Sequence, residues 1–284
     1  RDWSSLACRE PVVEPRAVGA ADLLGNVQAM ATALVTGATA GIGAAFARAL
    51  AERGHDLVLV ARNRERLAAK AAELEALGVR VEVLPAELAD RAQVATVAAR
   101  LEQAEQPIEI LVNNAGFGLK AKLLDVDVRE HDQAFDVMCR AVLVLGGAAG
   151  RAMSVRGHGQ IINVASLSAW ITQGNYSAVK AWVKVYSESL ANELHGTGVT
   201  VTALCPGWVR TEFHDRAGIR TGSIPDWIWV DADRVAREAL DHAARGRVLS
   251  VPTKRWQVAR FAMQLAPRPL VRAASRMLTK SRGQ

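Results

Sequence analysis

A tyrosine and a lysine stand four residues apart in the segment Asn175 to Lys180. In a helix, residues at this spacing lie on one face, one turn apart, so Tyr176 and Lys180 would be neighbours. A free phenol titrates near pH ~10 and is a poor acid or base at neutrality. A fixed cation nearby favours the phenolate and lowers the tyrosine pKa. The pair therefore predicts a proton-transferring tyrosine, although ordinary helices also contain Tyr and Lys at this spacing.

A glycine-rich segment, Thr36 to Gly43, follows the apolar run Ala33 to Val35 and precedes Ala44 to Arg53, which is rich in helix-forming residues. A strand, a glycine turn and a helix form the phosphate-binding corner of dinucleotide folds, because backbone N–H groups and the helix dipole face the anion. The spacing G-x-x-x-G-x-G differs from the commonest fingerprint, and a glycine loop without a ligand is the alternative interpretation. The residues predicted to contact a cofactor here are Gly37, Thr39, Ala40, Gly41, Ile42 and Gly43.

With Asn113-Asn114-Ala115-Gly116 between these two motifs, the chain resembles the short-chain dehydrogenases and reductases. The pattern of that family is TGxxxGIG, NNAG, a serine, YxxxK and a PG segment, and all five occur here in order. The resemblance implies an α/β fold with a single doubly wound parallel sheet of the Rossmann type and helices on both faces. Strand and helix patterns that alternate along the chain agree with a parallel sheet and right-handed crossovers.

The resemblance also implies the catalytic roles. Tyr176 would be the general acid, Lys180 would hold the nicotinamide ribose, and Ser166 would polarise the substrate carbonyl. Ser166 directly follows a predicted strand but stands closer to Tyr176 than the family serine usually does, so Ser168 is kept as the alternative. Besides Tyr176 and Lys180, the resemblance implies cofactor contacts outside the glycine segment from Glu87, Leu88, Asn114, Ala115, Gly116, Pro206, Gly207, Val209 and Thr211.

The end of the second predicted strand bears on the choice of cofactor. An acidic residue there would bind a ribose 2′-hydroxyl and repel a 2′-phosphate, whereas this chain has Ala61 followed by Arg62. A guanidinium can bind a phosphate through two hydrogen bonds, and NADP-preferring family members have a similar arginine. We therefore expect NADP(H) to be preferred over NAD(H); the alternative is a solvated arginine at a strand end.

Two substitutions distinguish this chain from the usual family pattern. Met138 stands where the family often has an asparagine credited with a proton relay, and a thioether cannot form an amide's hydrogen bonds. Glu87 replaces a common aspartate and keeps its charge. The leading hypothesis is an NADPH-dependent reductase of a 3-oxoacyl group or another hydrophobic ketone. The alternative is a catalytically weak NADP(H)-binding regulatory or interaction protein on the same fold.

Composition is consistent with one globular domain. Half of the 284 residues are hydrophobic, which is ample for a sheet covered on both faces. Three widely spaced cysteines, Cys8, Cys139 and Cys205, indicate reduced thiols in a cytoplasmic protein. No uninterrupted apolar run approaches the ~20 residues of a membrane span. No metal site is predicted, and the histidines His131, His158 and His195 are expected at the surface.

We expect three regions along the chain. Residues 1–29 lack periodicity and are predicted to be a disordered or non-native extension. Residues 30–252 form the catalytic domain, including a lid at 211–230. The apolar lid indicates a hydrophobic substrate pocket, although Trp227 and Trp229 could be ordinary packing residues. Residues 253–284 form a basic amphipathic tail.

The tail contains eight basic residues and no acidic one, whereas the whole chain carries a net charge of +6. Such a segment is typical of peripheral contact with an anionic membrane, but a subunit-packing or solvated tail is an equally open interpretation. Nucleic-acid binding is not expected, because no recognition motif accompanies the charge. The resemblance implies a homodimer or homotetramer that acts on a small carbonyl compound. The basic residues are Lys254, Arg255, Arg260, Arg268, Arg272, Arg276, Lys280 and Arg282.

Overall fold

The structure is a computed structural model that describes residues 31–213, residue 222 and residues 224–282. The extension predicted for residues 1–29 lies outside these residues, as does most of the middle of the predicted lid.

Seven parallel strands form one sheet with the order β3-β2-β1-β4-β5-β6-β7. The order reverses direction between β1 and β4, which makes this the point where open α/β sheets bind ligands. The prediction of a single doubly wound, Rossmann-type parallel sheet is confirmed. The strands are β1 Thr32–Thr36, β2 Asp56–Ala61, β3 Val81–Pro85, β4 Ile108–Asn113, β5 Gly159–Val164, β6 Val199–Leu204 and β7 Leu249–Ser250.

Helices cover both faces of the sheet. The central strands are apolar on both sides, as a doubly covered sheet requires: Ala33 and Val35 of β1 join one core cluster, and Leu34 between them joins the other. Helices α1, α2 and α7 pack on the first face, and α3, α5 and α6 pack on the second. Their bounds are α1 Gly41–Glu52, α2 Arg64–Glu75, α3 Arg91–Glu102, α4 Arg129–Phe135, α5 Ala141–Arg156, α6 Gly174–Glu193 and α7 Ala232–Ala244.

Side-chain caps explain where several of these helices begin. Asn63 accepts a hydrogen bond from the Arg66 N–H at 2.8 Å and starts α2. Asp90 and Asp231 accept bonds from first-turn N–H groups of α3 and α7 in the same way. Each cap satisfies donors that a helix leaves free at its N-terminus. Helix α1 differs, because no side chain caps it.

A five-residue π-helical turn, Asp136–Arg140, joins α4 to α5 and makes one continuous helical region from Arg129 to Arg156. Its 28 residues are long and apolar enough to cross a membrane by length and composition. The most apolar window is 61% buried inside the protein, however, and α5 packs on α3 and on the sheet. The region is therefore a core helix of the domain.

Two helices follow β7, namely α8 Lys254–Leu265 and α9 Arg268–Arg282. The break between them falls at Pro267, where a continuous helix would lose a backbone hydrogen bond. A short 3-10 turn at Leu167–Trp170 follows β5, and another at Asp226–Ile228 precedes α7. These four segments surround the carboxyl-terminal edge of β5 and β6.

Candidate active site and cofactor site

The glycine segment lies at the point where the strand order reverses. Gly37 adopts a φ of +66°, which a residue with a side chain rarely adopts. A Cβ atom on Gly43 would lie 2.2 Å from the Gly37 carbonyl oxygen, so the loop packs directly against the start of α1. Because no side chain of the described residues caps α1, its first N–H groups are available to bind an anion such as a pyrophosphate.

Asn114 holds this loop in place. Its side-chain amide donates to the carbonyl oxygens of Thr36 at 3.0 Å and Gly37 at 3.3 Å. The Thr36 hydroxyl oxygen accepts from the backbone N–H groups of Asn114 at 2.9 Å and Ala115 at 3.0 Å. The end of β4 is thus fastened to the end of β1. Asn114 was predicted as a cofactor ligand, and the structure shows its side chain bound to the glycine loop.

The predicted nicotinamide segment meets the glycine loop at Thr211. A Cβ atom on Gly41 would lie 3.2 Å from the Thr211 methyl carbon, so the two segments are in contact. Val209 pairs with Val230 in an isolated parallel bridge. The Pro206 carbonyl accepts from the Leu167 N–H at 3.0 Å and ties the segment to the loop after β5.

Two residues predicted to contact the adenosine half of the cofactor contact one another. The Arg62 guanidinium donates to the Glu87 carboxylate at 3.4 Å, and the Arg62 side chain is 70% exposed. The Gly37 N–H bonds the Val60 carbonyl at 2.8 Å, which places the end of β2 beside the glycine loop. The Leu88 side chain, in contrast, is buried in the core, which leaves its backbone to reach a ligand.

The three predicted catalytic side chains come together. The Ser166 hydroxyl lies near enough to Tyr176 to oppose the rise in the tyrosine pKa, and it accepts a hydrogen bond from the Ser168 N–H at 3.1 Å. The Lys180 ammonium lies 5.7 Å from the centre of the Tyr176 ring and donates to the Val164 carbonyl at 2.8 Å. The Ser168 hydroxyl is buried and has no hydrogen-bond partner among the described residues. Geometry therefore favours Ser166 over Ser168 as the partner of the tyrosine.

Burial controls the electrostatics of this cluster. It raises the pKa of Tyr176 well above its ordinary value, and the hydrogen bond from Ser166 opposes the shift. Burial also lowers the pKa of Lys180 to about 8. The net shift of the Tyr176 pKa is therefore upward, opposite to the net lowering that the sequence led us to expect. The cost of burying a phenolate is its largest cause.

Met138 lies beside this cluster, inside the π-helical turn. Its side chain is 1% exposed, and a Cβ atom on Gly116 would lie 3.0 Å from the Met138 sulfur and 3.7 Å from Lys180 Nζ. Single π-helical turns often occur at functional sites. The position where the family resemblance implies a hydrogen-bonding amide is occupied here by an apolar thioether close to Lys180. Cys139 and Cys205 are buried and unpaired, and burial raises the pKa of their thiols to about 11 and about 12.

A buried histidine next to the site escaped the sequence analysis. Asn175 precedes the tyrosine, and its amide nitrogen lies 3.1 Å from His131 Nδ1, while His131 Nε2 lies 3.2 Å from the Lys122 carbonyl oxygen. The prediction that His131 is a surface residue is wrong, whereas His158 and His195 are exposed. His131, Ala134 and Met138 are buried at helical spacing, and this periodicity is the signal that could have revealed the histidine.

The C-terminal helices also belong to the site, which the charge pattern alone did not reveal. A Cβ atom on Gly207 would lie 2.1 Å from the Trp256 ring, so this indole of α8 packs directly on the PG segment. Arg255 donates to the carbonyl oxygens of Trp227 and Trp229. The Ser275 hydroxyl of α9 accepts from the Thr172 N–H, in the loop between Ser166 and Tyr176, at 3.1 Å.

Aromatic residues line the described part of the lid. The Phe213 ring lies 5.8 Å from the Tyr176 ring, and Trp208 meets Trp229 edge to face at 5.5 Å. The Trp227 side chain is mostly exposed. Of these residues, Phe213 is the one in direct contact with a predicted catalytic side chain.

Comparison with known proteins agrees with this geometry. The family model for short chain dehydrogenases matches residues 31–220. The short-chain reductase protein NovJ of Streptomyces niveus is 36% identical over 219 residues, which are 76% of this chain and 80% of that protein.

Two solved structures share the fold. A short-chain dehydrogenase from Sphingobium yanoikuyae in complex with NADPH is 35% identical, with a TM-score of 0.75 over 82% of this chain and 93% of that chain. A bulky-bulky ketone specific alcohol dehydrogenase from Comamonas testosteroni is 30% identical, with a TM-score of 0.71 over 82% and 92% of the two chains. The cofactor class that these comparisons support is a nicotinamide dinucleotide. The chain belongs to the short-chain dehydrogenase family of oxidoreductases.

Proposed function

We propose that this protein is an NADPH-dependent carbonyl reductase that converts a hydrophobic ketone, such as a 3-oxoacyl group, to an alcohol. The observation that carries the proposal is the assembled cluster in which Ser166 lies beside Tyr176 and Lys180 lies one helical turn away. A raised tyrosine pKa keeps the phenol protonated at neutral pH, which is the state that a proton donor requires.

The residues of the cofactor site fit a nicotinamide dinucleotide. The uncapped start of α1 offers free N–H groups to the pyrophosphate, and Gly41 and Gly43 have no side chain that would block its approach. Such a cofactor supplies the hydride, and the protein supplies position and charge. Lys180 would hold the nicotinamide ribose with the ammonium protons that do not bond Val164.

In the proposed reaction, the Ser166 hydroxyl donates to the substrate carbonyl oxygen and polarises it. Tyr176 then gives its phenolic proton to that oxygen as the carbonyl carbon is reduced. The Lys180 ammonium stabilises the phenolate that remains, because the two groups lie on one face of α6. Solvent returns the proton afterwards.

The preference for NADPH over NADH rests on Arg62. Its side chain is largely exposed and stands beside the glycine loop, and among the described residues its guanidinium has one long contact of 3.4 Å, with Glu87. A 2′-phosphate would offer this arginine two oxygens for paired hydrogen bonds. The Sphingobium protein that contains NADPH supports the same choice.

A hydrophobic substrate is supported by the residues around the tyrosine. Phe213 contacts Tyr176, and the indoles of Trp208 and Trp229 pack together in the neighbouring segment. A pocket with an apolar lining and few polar groups is typical of small-molecule sites. The specificity of the Comamonas enzyme for bulky ketones points the same way.

A second candidate function is a catalytically weak NADP(H)-binding regulatory or interaction protein. Met138 favours it, because a buried thioether beside Lys180 cannot pass a proton. Under this alternative the cofactor site is intact while proton return to the tyrosine is slow.

The proposal also includes the oligomeric state of the protein and its cellular compartment. Exposed apolar side chains on α4, α5 and α6, namely Phe135, Leu143 and Val185, suit a homodimer or homotetramer that covers them. Buried, unpaired Cys139 and Cys205 suit a reducing cytoplasm.

The test is to measure NADPH and NADH consumption with a panel of bulky ketones and 3-oxoacyl thioesters. Tyr176→Phe is compared with the intact chain, and Arg62→Ala is compared for its ratio of NADPH to NADH activity. We expect NADPH-selective turnover that Tyr176→Phe abolishes and a ratio that falls about tenfold or more in Arg62→Ala. Tight NADPH binding without turnover on any substrate, unchanged by Tyr176→Phe, would establish the binding protein instead.

A further inference from the structure

The outward face of α8 is apolar. Val258, Phe261 and Leu265 are 70%, 57% and 67% exposed, and their spacing of three and four residues places them on one face of the helix. On α9, Leu270 and Met277 are exposed seven residues apart, which again is one face. Soluble domains rarely leave large exposed apolar patches without a partner. We call these five side chains the apolar face of the tail.

Positive charge surrounds the apolar face. All eight charged residues from 254 onward are basic, so the rest of the chain carries about −2 of the total net charge of +6. Lys254, Arg268, Arg272 and Arg276 are exposed next to the apolar face. An apolar stripe bordered by lysine and arginine is the arrangement of helices that lie in the interface of an anionic bilayer.

The opposite side of the two helices is fixed to the domain. Trp256 packs on Gly207, and the Ser275 hydroxyl bonds the Thr172 N–H. Val271 and Ser275 of α9 are buried at a spacing of four residues, so the buried and exposed faces of that helix are distinct. The apolar face is consequently held outward by tertiary contacts.

We propose that α8 and α9 dock this protein on an anionic lipid surface, with the apolar face in the interfacial layer and the surrounding cations at the lipid phosphates. A second copy of the chain is the competing occupant. A two-fold contact would oppose identical basic surfaces that contain no acidic residue, and like charges at close range repel. Charge complementarity therefore selects the anionic membrane over a self-contact.

This docking does not depend on the proposed reductase activity. It would place the proposed active site near the bilayer, because the helices that would touch the bilayer also contact the PG segment and the loop between Ser166 and Tyr176. Hydrophobic ketones partition into membranes, so a membrane-bound enzyme would meet them at a high local concentration.

The test is co-sedimentation of the full chain with vesicles of phosphatidylcholine alone and of phosphatidylcholine mixed with phosphatidylglycerol. One variant removes apolar area with Phe261→Ser and Leu265→Ser. A second removes charge with Arg268→Gln, Arg272→Gln and Arg276→Gln. The matched control carries Leu77→Ser and Val155→Ser, which change exposed apolar side chains elsewhere on the domain. Thermal melting followed by circular dichroism confirms that each variant is folded.

We expect binding to the anionic vesicles only, reduced about tenfold or more in both tail variants and unchanged in the control. Absence of binding to anionic vesicles, or equal binding by all variants, would overturn the proposal. Analytical ultracentrifugation of the same proteins tests whether a second copy of the chain binds the apolar face. If the apolar variant dissociates an oligomer while vesicle binding is absent, the face is a subunit contact.

Discussion

Asn175 donates its side-chain amide to His131 Nδ1 at 3.1 Å, and both residues are buried immediately beside Tyr176, the proposed proton donor. The other ring nitrogen lies 3.2 Å from the Lys122 carbonyl oxygen, which can only accept, so His131 Nε2 carries the proton and Nδ1 is the acceptor. The His131 ring thus links the first turn of α6 to the loop that follows β4. The orientation of Tyr176 depends on this link through its neighbour in the chain.

We predict that His131→Leu lowers kcat several-fold and destabilises the fold by about 1–3 kcal/mol, since the Asn175 amide would be left buried without an acceptor. His131→Gln, which can both accept and donate, should restore most of each loss. Steady-state kinetics and urea unfolding of the two variants are the measurements. Equal losses in both would show that the ring fills space and does not position Asn175.

We predict that two glycine-to-alanine substitutions, one in the glycine loop and one in α5, change the stability of the protein in opposite directions. In Gly43→Ala, the new Cβ would lie 2.2 Å from the backbone oxygen of Gly37 and 2.4 Å from the Asn114 amide, so we expect a loss of about 3 kcal/mol or more and loss of cofactor binding. In Gly147→Ala, inside α5, the nearest atom would be the flexible end of Arg151 at 3.4 Å. This variant should be stabilised by ~0.5–1 kcal/mol. Chemical denaturation of both variants measures the contrast.

The pKa of Lys180, lowered to about 8 by burial, predicts the alkaline limit of activity. The ammonium is present below that pH and is lost as pH rises through it, and the phenolate formed on Tyr176 then loses its nearest cation. We expect kcat/KM for reduction to fall above pH 8. In Lys180→Arg the alkaline limb should disappear, because an arginine stays charged up to pH ~12, even if the rate is lower throughout. If kcat/KM still falls above pH 8 in Lys180→Arg, a titrating group other than Lys180 causes the fall.

Acid sensitivity is predicted at His242, on α7. Burial lowers its pKa below the ordinary value, with the nearby cations Arg247 and Arg245 adding to the effect. Below pH 6.5 this histidine is protonated in the unfolded chain but still neutral in the folded protein. The free energy of unfolding therefore decreases as pH falls from 6.5 toward the lowered pKa of the folded state. His242→Gln can keep the contact with Ser250 without titrating. Urea unfolding at pH 7.5 and 5.5 should show a smaller difference for the variant than for the parent.

Met138 separates the two candidate functions. Replacing it with asparagine restores a hydrogen-bonding amide beside Lys180 in a slightly smaller volume. If slow proton return limits the native protein, Met138→Asn should raise turnover several-fold at unchanged NADPH affinity. Met138→Leu is the control, because it preserves an apolar side chain of similar size. A faster leucine variant would point to packing and not to a proton path.

Local sequence patterns account for several strands of the sheet. The observed strands β2 Asp56–Ala61 and β6 Val199–Leu204 are short apolar runs bounded by loop residues, which is the pattern that indicates a buried strand. The same patterns cannot reveal the π-helical turn at Asp136–Arg140, where one extra residue is inserted without a change in hydrophobicity.

Some features of the site could likewise be predicted from the sequence, and others could not. The spacing of Tyr176 and Lys180 predicted that they are neighbours, but it could not predict which way the tyrosine pKa shifts. That shift depends on burial, which is a property of the folded protein. The contact between Ser275 and Thr172 joins residues 103 positions apart, so local patterns contain no trace of it.

The packing of Trp256 on Gly207 has a consequence for biosynthesis. Gly207 leaves the ribosome well before α8, yet the segment around it is covered only when Trp256 arrives. Domains generally fold as units during synthesis, so this single-domain site is not complete until α8 has been made. A chain whose translation stalls between β7 and α8 lacks Trp256 and would leave the PG segment uncovered.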